Sequence, residues 1–122
     1  MAEHNQTGVL GEQLAAAYLQ EKGYIIRHTN WRSNHKEIDI VAENEQYIVI
    51  VEVKTRHSTF FGLPEEAVTR QKQRFLVRAA NDYVLQYDCQ KDIRFDIISI
   101  VLTNGQPQIT HIEDAFSVIG LW

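Results

Sequence analysis

Cysteine occurs once, at Cys89, which excludes an internal disulfide and favours neither redox compartment. Proline is confined to Pro64 and Pro107, and no repeat, low-complexity tract or linker interrupts the 122 residues, so a single domain over 1–122 is expected. No stretch approaches the ~20 apolar residues of a membrane span, and the amino terminus lacks a basic region followed by an apolar run. A cytoplasmic protein without a membrane partner is the expectation. The missing glycine-rich phosphate loop counts against a hydrolase of small phosphates. Positive charge is also short: twelve Lys and Arg stand against sixteen Asp and Glu, a net −4 that argues against a general nucleic-acid binder. The shortage is uneven. Arg27 to Arg78 holds nine of the basic residues and seven of the acids, so this segment carries +2 and the remainder −6, a basic working face on an acidic body.

What is present reads as alternating helices and strands. Gln6 to Lys22 is predicted to be a helix, capped at Asn5 or Thr7 and stopped by Gly23, with Leu10, Leu14, Ala17 and Tyr18 as its apolar stripe. Ala15, Ala16 and Ala17 would let it lie close to a sheet. Tyr24 to about Asn30 reads as a strand, followed by Trp31, which either stacks on a base or, preferably, anchors a loop to the core. Arg32, His35 and Lys36 are placed to meet phosphates. After Lys54, Pro64-Glu65-Glu66 is the expected opening of a second helix running to Tyr87. On it Val68, Phe75, Leu76, Ala79 and Tyr83 share one arc, and Lys72 falls near the centre of that arc. A lysine aimed at the core has to snorkel out or find a negative partner. Arg70, Arg74 and Arg78 form a separate ridge, which a solvated face explains as well as DNA does. Ile93 to Leu102 is a strand apolar enough for burial on both faces. Asn104-Gly105 then marks a turn into Gln108 to Ile112.

The densest information lies in Glu37 to Arg56, E-I-D-I-V-A-E-N-E-Q-Y-I-V-I-V-E-V-K-T-R, two runs of period-two alternation joined by a polar tip. In the second run Ile48, Ile50, Glu52 and Lys54 point to one face, so an apolar face ends in charge. With Glu45 and Gln46 as a two-residue loop, counting back sets Asp39 opposite Glu52, roughly 4.5–5.5 Å apart at Cβ. Two carboxylates that close repel unless a proton or cation lies between them, and Lys54 alone answers a pair of acids poorly. A divalent metal is the natural third party. The competing reading is a solvated edge hairpin; the apolar character of Tyr47 to Val53 on both faces weighs against it.

Asp39, then twelve residues, then Glu52-Val53-Lys54 resembles the core motif of the PD-(D/E)xK nuclease superfamily. G-x-x-G-E near the start, N-W-R, E-I-D-I-V-A, V-E-V-K-T-R, F-G-x-P-x-x-A-V-x-x-x-K and R-F-D-I-I-S-I followed by H-I-E-D-A-F resemble the YraN-like family of small bacterial proteins. That family is described as predicted endonucleases similar to archaeal Holliday-junction resolvases. One departure is visible: Lys36 stands where the family usually has a glycine before E-I-D.

The resemblance implies an α/β fold, a restriction-endonuclease-like three-layer α-β-α core with a mixed central sheet. It implies that Asp39, Glu52 and the main-chain carbonyl of Val53 hold Mg²⁺, or Mn²⁺, and that Lys54 orients the attacking water. Glu12 is carried over as an assisting acid on this likeness alone. Lys72, with Arg32, Arg56, Arg70 and Arg74, is expected to contact DNA. The likeness to resolvases points to branched DNA and to a homodimer. The rival reading is a nucleic-acid-binding or assembly protein that keeps the fold and does not cut.

Overall fold

The structure, a computed structural model, describes residues 6–57, 68–103 and 105–118. Its elements run α1 (Gln6–Glu21), β1 (Ile25–Ser33), β2 (Lys36–Glu43), β3 (Tyr47–Arg56), α2 (Arg70–Tyr87), β4 (Asp92–Val101) and β5 (Gln108–Ile112). The five strands form one sheet in the order β1-β2-β3-β4-β5. It is mixed: β3 and β4 are parallel, with α2 in the crossover between them, and the other neighbours are antiparallel. Helix α1 packs through Ala15 and Leu19 on the face carrying Val49, Val51, Ile98 and Ile100. Helix α2 covers the opposite face, where Leu76, Ala79 and Tyr83 meet Ile48, Ile50 and Ile97. The result is the expected three-layer α/β arrangement, and β4 is buried continuously from Phe95 to Val101.

The β2–β3 hairpin has the register read from the sequence, with Glu43 paired to Ile48 and Ile40 to Val51. Its tip lacks the favoured Asn-Gly pair, and the Asn44 side chain supplies the closure instead. Asn44 Oδ1 accepts from the Gln46 and Tyr47 amides at 2.9 and 2.7 Å, a side-chain turn of the kind Asn makes with its own backbone. The β1–β2 hairpin turns on Asn34 and His35, both at positive φ, 51° and 67°. That is the signature of a two-residue primed turn. The left-handed conformation falls on Asn34 and His35, before Lys36, so a β-carbon at Lys36 is tolerated.

Three expectations are corrected. Strand β1 passes Asn30 and runs to Ser33, with a register shift between Ile26 and His28 and a left-handed residue, Asn30 at φ +51°, inside the strand. His28 and Trp31, three apart and on either side of Asn30, both reach Tyr83 of α2. Helix α2 begins after its cap Thr69, whose side chain accepts from the Lys72 amide; Pro64 to Glu66 lies outside the described residues. Finally, α1 buries Gly11, Ala15 and Leu19, with Leu14 and Tyr18 flanking, while Leu10 and Ala17 are exposed.

Close approach explains that rotation of α1. A β-carbon on Gly11 would lie 1.8 Å from Thr55 Oγ1 and 2.8 Å from its Cβ. The helix rests on the sheet at its smallest side chains, and the larger leucine at position 10 is turned away. Gly11→Ala is thus expected to destabilise by about 1–2 kcal/mol, because overpacking strain outweighs the gain of about 1 kcal/mol in helix propensity. Urea unfolding checks this; an alanine variant as stable as the parent would contradict the contact.

Candidate metal and phosphate site

Glu52 continues the face that Ile48 and Ile50 bury against α2, and it is itself 4% exposed. Asp39 approaches from β2. The main-chain ladder between β2 and β3 ends at Ile40 and Val51. One residue further on, the Asp39 side chain takes over, its Oδ2 accepting from the Val53 amide at 2.8 Å. The sheet opens at the point where the two carboxylates meet.

Two lysines answer this charge from different elements. Lys54 Nζ, from β3, lies 3.6 Å from Glu52 Oε2, and Lys72 Nζ, from α2, lies 3.7 Å from the same oxygen. Lys72 thus finds the negative partner its place in the helix demands. Both separations exceed a hydrogen bond. The other oxygen, Glu52 Oε1, is buried without any hydrogen-bond partner. A buried carboxylate oxygen so placed is costly unless a proton shared with Asp39, or something outside the protein, completes it.

Protonation follows from this geometry. Burial, with the Asp39 charge beside it, pushes Glu52 up to about 7, against the pull of Lys72 and Lys54. Burial also raises Asp39, and the Val53 hydrogen bond opposes it. Folded Glu52 therefore holds its proton above 4.5, where the unfolded chain has lost it. By linkage the stabilisation present below that pH is lost as pH rises towards 7. Metal-free wild type is expected to lose a few kcal/mol across this interval, and Glu52→Gln to lose much less. Thermal melts from pH 4.5 to 8 in chelator test the difference; parallel curves would contradict it.

A hard divalent cation fits these residues. Among the described residues no three His, Cys, Asp or Glu side chains converge, so the side chains offer a carboxylate pair and no fuller cage. Mg²⁺ is commonly held by one or two carboxylates while waters and substrate phosphate fill the remaining positions. The main-chain carbonyl of Val53, between Glu52 and Lys54, would be a further oxygen donor of the type Mg²⁺ takes.

The other candidate residues divide. Arg32 and Lys72 line one cavity of about 500 Å³ beside the pair, together with Lys36, Phe75 and the opposing charge of Glu37. Arg32 pairs with Glu37 at 3.6 Å and Lys36 with Asp82 at 3.8 Å. Arg70 and Arg74 are exposed on α2 and Arg56 is half-buried at the end of β3; none of the three lines this cavity. Glu12 is half-buried next to Gly11, which packs on Thr55, so it stands near the same end of β3 but on α1, the helix that covers the face opposite Glu52 and Lys54. Trp31 is 8% exposed between Tyr83 and Tyr87, the core anchor preferred from the sequence. Phe75, expected in the core, is 42% exposed instead.

Sequence reasoning missed a second charged cluster, on the α1 side of the sheet. Asp96 accepts from Arg94 Nε at 2.9 Å, Arg94 Nη2 at 2.8 Å, the Asp114 amide at 3.0 Å and His111 Nε2 at 2.7 Å. His111 Nδ1 meets the Tyr18 hydroxyl at 3.2 Å, and Arg94 donates to the Tyr24 hydroxyl at 2.6 Å. Val51 pairs with Asp96 and Glu52 with Ile97, so neighbouring positions put the two clusters on opposite faces. Arg94 and Asp96, two apart in an apolar strand, were the legible signal.

Relatives match nearly the whole length of this chain. A UPF0102 protein of Bacteroides thetaiotaomicron is 53% identical over 116 residues, covering 95% of this chain and 96% of its own. One from Flavobacterium psychrophilum is 49% identical over 116 residues, 95% and 98% of the two chains. A third, from Porphyromonas gingivalis, is 42% identical over 121 residues, 98% and 90% of the two chains. The profile of the Uncharacterised protein family UPF0102 matches residues 11–100, the span holding Asp39, Glu52, Lys54 and Lys72. The chain belongs to the UPF0102 family.

Proposed function

We propose that this protein is a metal-dependent DNA endonuclease of the PD-(D/E)xK type, cutting phosphodiester bonds at the Asp39–Glu52 pair. The observation that carries the reading is the partnerless, buried Oε1 of Glu52 beside Asp39, with Lys54 on the same strand face. Such an arrangement costs stability in the free protein and gains a purpose when a cation arrives.

Asp39, Glu52 and the Val53 carbonyl would hold Mg²⁺ or Mn²⁺, which supplies Lewis-acid polarisation of the phosphoryl group and an acidified water. The chain's own residues do the rest. Asp39 is oriented by the Val53 amide and keeps its carboxylate turned to the opening of the sheet. Lys54, about a third exposed, reaches from Glu52 towards solvent, where its ammonium orients a water and offsets charge on the phosphorane. Lys72 holds a non-bridging phosphate oxygen, and Arg32 a neighbouring phosphate. Glu12 assists from α1. Arg56, Arg70 and Arg74 extend the contact along the strand. By likeness to the superfamily the product carries a 5′-phosphate. Branched DNA is the proposed substrate class, and a homodimer supplies the two cuts that a symmetric junction needs.

The test is cleavage of end-labelled four-way junction, plain duplex and single-stranded DNA with Mg²⁺, Mn²⁺ or EDTA, comparing wild type with Asp39→Asn. Metal-dependent cutting that vanishes in the variant is expected, with the junction cut fastest. If no substrate is cut while binding survives in both proteins, the protein is a binder that has kept the fold.

A further inference from the structure

The exposed ring of Phe75 is out of keeping with its helix. Its neighbours on the same arc of α2, Leu76, Ala79 and Tyr83, are buried, whereas Phe75 leaves 42% of its surface in solvent. Burying an aromatic of this size fully is worth roughly 1.5–3 kcal/mol, much of which is forgone here. The ring instead lines the cavity beside the carboxylate pair, together with the cations of Arg32, Lys36 and Lys72 and the carboxylate of Glu37, which pairs with Arg32.

The cavity is continuous with the reaction site through one residue. Lys72 lines it and also lies 3.7 Å from Glu52 Oε2, and it precedes Phe75 by three positions on the helix. A phosphate held by Lys72 therefore sits between the carboxylates and the ring. At about 500 Å³ the cavity falls within the ~300–1,000 Å³ of pockets that take drug-sized ligands, the size class of a mononucleotide. An apolar aromatic face with cations around it is the chemistry of a base stacked on a side chain while its phosphates are neutralised.

We propose that this cavity is a nucleotide subsite in which one unpaired base of the DNA strand stacks on Phe75 while Arg32, Lys36 and Lys72 hold its flanking phosphates. The proposal rests on the reading of the adjacent pair as a site that takes DNA, and it names which DNA. A base inside an intact duplex cannot enter a recess. Extruding one costs least where it is already unpaired or mismatched. The protein thus selects strands with an unpaired nucleotide beside the bond to be cut, and it does so through a ring rather than through base-edge hydrogen bonds.

Binding in EDTA tests this independently of hydrolysis. Two labelled duplexes are used, one fully paired and one with a single unpaired nucleotide, and their affinities are read by fluorescence anisotropy for wild type, Phe75→Ala, Phe75→Leu and Phe75→Trp. Wild type and Phe75→Trp should prefer the duplex with the unpaired nucleotide. Phe75→Ala and Phe75→Leu should lose that preference by roughly 5- to 150-fold, the range for removing one base-stacking aromatic. Absence of the preference in wild type, or its survival in Phe75→Ala, overturns the proposal; its survival in Phe75→Leu overturns stacking as the cause. A ring-dependent preference without cleavage under any metal would keep the subsite and sink the hydrolytic reading. Metal-dependent cleavage indifferent to Phe75 would do the reverse.

Discussion

Lys54→Ala is expected to slow metal-dependent DNA cleavage roughly 10²- to 10³-fold, the loss that follows removal of one preorganised electrostatic group from an active site. Lys54 holds this position for a geometric reason. It is two residues after Glu52 on β3, so both side chains share a face, and its Nζ stops 3.6 Å from Glu52 Oε2 rather than hydrogen-bonding to it. The ammonium is thus held near the carboxylate and left with donors for a water or a phosphate. It is a cation and no metal ligand, so the same variant should bind Mn²⁺ at least as tightly as wild type. Single-turnover rates beside a Mn²⁺ titration separate the two effects. A rate within threefold of wild type, or a variant that loses metal together with rate, would contradict the role given to Lys54.

Asp96→Asn is expected to cost about 3–5 kcal/mol of stability, the range for removing one member of a buried ion pair. Burial alone would raise the Asp96 carboxyl, but the hydrogen bonds from His111 and Arg94 outweigh it and hold the group below its ordinary value. A depressed carboxylate contributes stability that is present above 3.8 and lost as pH falls through the lower folded value. Wild type should therefore lose stability in acid faster than Asp96→Asn, whose deficit is already present at neutral pH. Urea midpoints from pH 7 to pH 3 measure this. Equal acid sensitivity in the two proteins would rule out Asp96 as the titrating group.

The two clusters contain the same residue types and differ in how completely they are satisfied. Asp96 receives four donors on its two oxygens, which exhausts its accepting positions. Glu52 has two distant ammonium groups on one oxygen and, apart from a proton shared with Asp39, no donor on the other. The first is a closed network that ties β4 to β5, α1 and the segment after β5. The second is open, and openness is what a site needs if something outside the protein is to complete it. Charged residues in a buried strand do not by themselves separate structure from chemistry; the tally of their partners does.

What could be read from the chain follows the same physics. The β2–β3 register was legible because a two-residue tip at Glu45 and Gln46 fixes the count back along both strands, and a slip of one would put Asp39 and Glu52 on opposite faces. Lys72 was legible because a cation in an apolar arc requires a partner, and Glu52 is that partner. The face of α1 was not, since hydrophobic patterning weights large side chains and the contact is made by Gly11 and Ala15. Asn30 and its positive φ were hidden because Asn tolerates the left-handed region without requiring it. His111 and Asp96 lie fifteen residues apart, and only the β4–β5 pairing, which sets His111 against Ile98, brings them together. Phe75 was misread for the opposite reason to Gly11: periodicity assigns a large aromatic to the core, whereas Val68, Leu76 and Ala79 fill it and Phe75 lines the neighbouring cavity.

The most direct test of the account is calorimetric titration of Mn²⁺ into the metal-free protein at pH 8, for wild type, Asp39→Asn and Glu52→Gln. Saturable binding by wild type, lost or weakened at least tenfold in both variants, is the predicted result, because each variant removes one charged oxygen donor from the same site. Absence of binding in wild type, or binding unchanged in both variants, would contradict the claim that Asp39 and Glu52 are arranged around a cation.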